Sequence, residues 1–201
     1  SVTIPGSVAY IGDSAFSGCT GLASVVIQNG VTSIWWNAFS GCSSLTSIAI
    51  PASVTSIDWY QFSSCNSLLS IDVDAANASY ASIDGVVFNK ALTTLIQCPR
   101  GKSGTIAIPG SVTSIQSYAF SGCTSLTSVT IPASVTDIGW DAFSNCSALR
   151  ALNFLGAPPS SGWLSSSSSP TVYRLPGSLG WGSSYATAPV KVFQPISIVL
   201  G

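Results

Sequence analysis

Five of the six cysteines, Cys19, Cys42, Cys65, Cys123 and Cys146, occupy one place in a recurring phrase, three residues after a phenylalanine and three before a leucine. Thiols at a fixed interval could ligate a metal, pair as disulfides or fill a core. Zinc is disfavoured, because there is no CxxC pair and no histidine to complete a tetrahedral set. Disulfides would suit an oxidising compartment. However, stacked parallel strands lie about 4.8 Å apart, whereas a disulfide draws its Cβ atoms to about 3.8 Å, so bonding would need a local distortion. The slot asks for a small apolar side chain, and a reduced, buried column is the expectation. Cys98 stands outside the column, and its redox state is left open.

Acid–base chemistry lacks its usual carriers. The chain has no histidine, and its seven acidic residues are all aspartate. Asp72 and Asp74 flank Val73 and fall on one side of a strand, where they could hold a cation weakly or form a solvated edge. No Gly-x-Ser-x-Gly phrase with a base is present. No catalytic residue set, no metal site and no cofactor is expected, and the chain reads as a non-enzyme. With six basic residues and a net charge of −1, it has no basic patch to displace counterions from phosphates, which argues against nucleic acid as a partner. No apolar run approaches the roughly 20 residues of a transmembrane helix.

Recognition chemistry is better represented. Two and three residues after a recurring isoleucine stand Asp13-Ser14, Trp36-Asn37, Trp59-Tyr60, Ser117-Tyr118 and Trp140-Asp141, with Trp35 one place earlier. Small polar residues would suffice for folding there. Trp35, Trp36, Trp59, Tyr60, Tyr118 and Trp140 are therefore the candidate ligand-binding residues, as an exposed aromatic band able to stack on sugars or clamp apolar groups of a protein. The alternative is that the rings lie flat and shield the core. A second column, running from Ser24 and Val26 to Ala151 and Asn153, is small and nearly uncharged. A third stacks Thr32, Thr55, Thr113 and Thr136 beside Ser33, Ser56 and Ser114, an array that could order water or ice. Its simpler role is to satisfy turn backbone.

The elements that place these columns follow from a 23-residue period. Phe16, Phe39 and Phe62 keep step, as do Phe120 and Phe143 after an interruption. Such a period predicts a solenoid whose coils share one continuous core. Alternation at Ile48 and Ile50, closed by Pro51, predicts a short strand with one buried face. Equivalent strands must pair in parallel. The spacing of Ile57, Phe62, Cys65 and Leu68 predicts a short helical turn or 3₁₀ stretch on the opposite side.

Between Val73 and Ile108 the phrase is lost. Residues 80–88 and 92–96 read there as two strands around a turn at Asn89-Lys90. Lys90, Arg100 and Lys102, also in this stretch, fit a solvated loop. After Phe154 the period fails, and strands at 171–176 and 190–193 around Gly180-Trp181-Gly182 would shield the last coil. The expected organisation is a solenoid over 1–155 with a hairpin-like insert at about 74–105, a capping segment over 156–195, and a linker to a further module at 196–201. Because Ser1-Val2-Thr3-Ile4-Pro5 already lies inside the pattern, either a leader and upstream repeats were removed or the chain is a piece of a longer protein.

The phrase Ile-Pro-x-Ser-Val-Thr-x-Ile-x-x-x-Ala-Phe-Ser-x-Cys-x-x-Leu-Thr-Ser, clearest at 108–128 and 131–149, resembles the BspA-type leucine-rich repeat of bacterial surface proteins. The resemblance covers roughly residues 1–155. It implies a right-handed horseshoe or rod and, in several members, adhesion to host proteins or other cells. It implies no catalytic residues. Together with the aromatic band, the resemblance makes the leading expectation an extracellular or cell-surface domain that binds a protein or carbohydrate on a host or neighbouring cell. The rival reading is structural, with coils joining end to end or laterally into a homo-oligomer or fibre.

Overall fold

The computed structural model describes residues 1–58, 60–160, 170–185 and 188–193. Trp59, the serine run 165–169 and the expected linker at 196–201 lie outside them. The chain is a β-solenoid of about seven turns with about 23 residues per turn. Apolar residues two apart drive each short strand, one face turning inward and the other to solvent. Val2–Ile4 pairs in parallel with Val25–Ile27, and Ser47–Ile50 with Ser70–Val73, each residue facing the one 23 places on. Ser103–Ala107, Ser125–Ile131, Ala151–Phe154, Thr171–Arg174 and Ala188–Val192 continue as one parallel run. A second, narrow ladder of two-residue pairings lines the return arm, through Tyr10–Ile11, Ser33–Ile34 and Ser56–Ile57, and again through Leu95, Ile115 and Ile138.

The return arm differs from the helical expectation. Among the described residues there is no helix. Bonds spanning three residues do occur, as from Ser40 N–H to Asn37 O and from Cys42 N–H to Phe39 O. They never run on as 3₁₀, because two places in every regular coil adopt a left-handed backbone that breaks the spiral. One is the residue before cysteine: Gly18, Gly41, Ser64, Gly122 and Asn145. The other is the third residue after the repeat isoleucine: Ser14, Asn37, Tyr60, Tyr118 and Asp141. Apolar periodicity is similar in a spiral and in consecutive turns, so spacing alone could not separate them.

The inward columns form as the period requires. Phe16, Phe39 and Phe62 stack at centroid distances of 5.3 and 5.9 Å, and Phe120 stacks on Phe143 at 4.9 Å. All six cysteines are unbonded; five are buried, while Cys19 in the first coil is exposed. The column is more than filler. Cys42, Cys65 and Cys146 donate their S–H to the carbonyls of Phe16, Phe39 and Phe120 in the preceding regular coil, at 3.2, 3.0 and 3.1 Å. A valine would fill the slot but leave that contact unmade. Burial, more than any other cause, pushes the Cys65 thiol up to about 11 and the Cys146 thiol up to about 12.

The interruption is built into the interior. Its strands are Tyr80–Ile83, Val86–Asn89 and Thr94–Gln97, with antiparallel pairing on both sides of the middle one. Residues 80–88 are thus a hairpin rather than one strand, because Asp84 and Gly85 both take left-handed φ, as tight hairpin turns require. Val86 and Phe88 pack into the core on the C-terminal side, and Val87 packs into the core on the N-terminal side. Leu95 and Ile96 divide in the same way. The insert is therefore a partition with apolar residues on both faces, and the described core consists of two clusters instead of one continuous stripe.

Two polar side chains fix this partition. Asn77 is fully buried and fully bonded: its amide donates to Pro51 O and Val54 O, and its oxygen accepts from the N–H groups of Ser79 and Tyr80. The Tyr80 hydroxyl accepts from Ile57 N–H at 3.1 Å, filling the place a next-coil carbonyl would take. At the other end, Phe154, Trp181 and Tyr185 meet edge to face, and Trp181 Nε1 donates to Gly156 O at 3.0 Å.

Candidate functional site: an aromatic cleft at the interrupted repeat

The aromatic candidates separate into two groups. Trp35 stacks on Tyr10 at 4.8 Å, with its ring nearly parallel, and stands apart as a pair. Tyr60, Tyr118 and Trp140 form a chain of rings: Tyr60 to Tyr118 at 4.6 Å, then Tyr118 edge-on to Trp140 at 5.4 Å. Trp36 and Trp140 are 57% and 58% exposed, so neither acts as a flat lid on the core. Trp59 lies outside the described residues.

Trp36, Tyr60 and Tyr118, with Asp58, line a cleft of about 410 Å³ that opens to solvent. It sits where the coil of Ile57 and the coil of Ile115 meet across the insert. Tyr60 and Tyr118 come together although 58 residues separate them. Both hold left-handed φ, 64° and 62°, in the slot that the other coils fill with Ser14, Asn37 and Asp141. Asn and Asp take this conformation at low cost, whereas for other L-residues it is unfavourable by about 1–2 kcal/mol.

Next to the rings lies a small cavity of about 30 Å³ with a mixed lining, in which Asp58, Tyr60, Gln61, Gln97, Gln116 and Tyr118 stand with Ile57 and Ile96. Gln61 holds the place of Ala15, Ala38, Ala119 and Ala142 in the other regular coils. It is 3% exposed, and its Oε1 has no hydrogen-bond partner. Burial first, and then the neighbouring Tyr118 hydroxyl, push the Tyr60 phenol well above its ordinary value, so it stays protonated. The reading of single columns missed Gln61. The signal was present in the aligned copies, since Gln61 stands where the other four regular coils carry alanine.

The other surface columns are more ordinary. Asp72 accepts from Ser70 Oγ, and Asp74 accepts from Ala76 N–H at 2.8 Å, so each carboxylate is engaged locally. The threonine hydroxyls are occupied too: Thr32 Oγ1 donates to Ala9 O at 2.9 Å and Thr113 Oγ1 to Thr93 O at 3.2 Å. Arg100 is half-buried and reaches Ser63 Oγ at 3.3 Å, which takes it out of the solvated loop.

A solenoid of 23-residue coils, with a parallel ladder on one side and side-chain columns on the other, defines a leucine-rich repeat protein. The sequence matches the BspA type leucine rich repeat region, in six copies, over residues 1–103 and 100–161. The chain belongs to that family. It is 30% identical to a leucine-rich cell surface protein from Faecalibacterium prausnitzii, with a TM-score of 0.68 over 98% of this chain and 60% of that one. It is 29% identical to the pneumococcal vaccine antigen PcpA, with a TM-score of 0.67 over 75% of this chain and 40% of that one. The chain thus spans less than two thirds of the length of either. No curated protein sequence is significantly similar to it.

Proposed function

We propose that this chain is an extracellular binding domain, acting in adhesion to a protein or glycan on a host or neighbouring cell. The observation that carries the reading is the open cleft walled by Trp36, Tyr60 and Tyr118. Rigid aromatic walls give a large contact area at little entropic cost, and such residues dominate binding hot spots. Trp36 and Tyr60 stand on one bonded stack of coils and Tyr118 on the next, so each wall is held by a paired backbone and little ordering remains at the moment of contact. A surface location agrees with the family and with a relative described as a cell surface protein.

The test is retention of the chain on epithelial cells and on glycan and matrix-protein arrays, measured for the wild type and for Trp36→Ala combined with Tyr118→Ala. Retention is expected to fall at least about tenfold, as loss of two hot-spot rings implies. Equal retention by the double variant would remove the cleft as the binding site.

A further inference from the structure

We propose that the junction of the Ile57 and Ile115 coils is a subsite for one neutral sugar ring, with a ring hydroxyl or hydroxymethyl group inserted against Gln61 Oε1. The proposal rests on the reading of the cleft as a binding site, and it names the ligand chemistry. Three independent features converge here.

The first is the pairing of an apolar with a polar surface at one point. The cleft walls are aromatic, and the cavity beside them offers a carboxylate, amides and two phenols next to Ile57 and Ile96; Asp58, Tyr60 and Tyr118 belong to both. A pyranose has this same division, with a face of C–H groups and a rim of hydroxyls. Aromatic faces accept the former, and a few well-placed polar groups orient the latter. An apolar peptide side chain would fill the cleft and leave the cavity unanswered.

The second feature is the unpaired acceptor. Buried polar atoms are nearly always bonded, so a buried amide oxygen without a partner asks for an explanation. Alanine suffices at this place in the other regular coils, and packing therefore does not demand glutamine. Gln61 Oε1 makes no bond to any of the groups around it and is left to a donor that enters the cavity. At about 30 Å³ the cavity admits a group the size of one water, which is also the size of a hydroxyl.

The third is charge. Asp58 stands on the rim of both spaces, and its carboxylate accepts hydroxyl donors and repels anionic sugars. The preference is therefore for neutral hexoses and N-acetylhexosamines over sialylated or sulfated ones.

The experiment is saturation-transfer NMR on the whole chain with a panel of methyl glycosides of glucose, galactose, mannose, N-acetylglucosamine and N-acetylgalactosamine, and with sialic acid as the acidic comparison. Transfer to at least one neutral glycoside is expected. Gln61→Ala, which restores the residue of the other coils, should weaken it at least about tenfold, since a site built to bond a hydroxyl discriminates strongly on that bond. Gln61→Met, which keeps the volume and lacks the acceptor, should do the same, so loss by refolding is distinguished from loss of the bond. No transfer to any neutral glycoside, or transfer indifferent to both Gln61 variants, overturns the proposal; a water alone then occupies the cavity. If cell retention falls in the Trp36→Ala, Tyr118→Ala protein while no sugar binds, the carbohydrate assignment fails and the binding surface stands. If retention is unchanged and no neutral glycoside binds, both fail.

Discussion

The coils before the insert and those after it are written in the same phrase, yet they do not share a core. On the N-terminal side Phe16, Phe39 and Phe62 stack in an unbroken file, and on the C-terminal side Phe120 and Phe143 begin a new one. The strand Val86–Asn89 lies between, giving Val87 to the first cluster and Val86 and Phe88 to the second. Where coils are regular, the left-handed slot holds Ser14, Asn37 or Asp141; where they border the insert, it holds Tyr60 and Tyr118. Regular coils thus supply stacking, and the interruption supplies a surface that no regular coil presents. Local departures from the folding rule are where function is most economically placed.

The largest test of this division is Phe88→Ala, which empties one face of the partition. It should cost about 3–5 kcal/mol in urea unfolding, as buried phenylalanine truncations do. Amide exchange should rise first in the coils from Ile108 onward, which share a cluster with Phe88. An equal rise at Ile34 and Ile48 would mean that the insert does not divide the molecule.

A smaller effect should distinguish the two cysteine files through pH. Burial raises the folded-state values above the ordinary 9.0, to about 11 for Cys65 and about 12 for Cys146. A group whose folded value is raised gives its full stabilisation below the unfolded value and loses it as pH rises through the folded one. Thermal stability should therefore decline from pH 9 upward, through about 11 on the N-terminal side and about 12 on the C-terminal side. Cys65→Ala and Cys146→Ala should each flatten their part of the decline in a melting-temperature profile.

The smallest effect belongs to Tyr118→Asn. Relief of the left-handed backbone contributes about 1–2 kcal/mol, offset by ring contacts with Tyr60 and Trp140 worth about 0.5–1.5 kcal/mol each. The net change by calorimetry should stay within about 2 kcal/mol, with the cleft lost. A large destabilisation would show that Tyr118 is a packing residue and would collapse the contrast between regular and interrupted coils.

Much of the fold was readable because each coil repeats the instruction of the last. The spacing of Phe39 from Phe62 and of Cys42 from Cys65 predicts which side chains become neighbours, and the ladder obeys it. Other features were hidden in the chemistry of single places. Glycine or asparagine before most of the cysteines signalled a left-handed turn, which would have excluded a helical return arm. The unbroken apolar run Val86-Val87-Phe88 signalled burial on both faces, and Asp84-Gly85 signalled a hairpin. Trp36 and Trp140 were legible as exposed rings, but the separation of Trp35 with Tyr10 was not, since ring orientation has no counterpart in spacing.

The sequence alone determined the length of a coil, the residues that face inward and the register of stacking, because in a periodic array each contact is a relation between nearest copies. The tertiary structure alone decided that Tyr60 would meet Tyr118, and that Gln61 would be buried beside them with an acceptor unanswered. Across the insert the period lapses, so adjacency depends on how Val86, Phe88 and Leu95 pack against the coil that follows. That packing has no repeat to read it from.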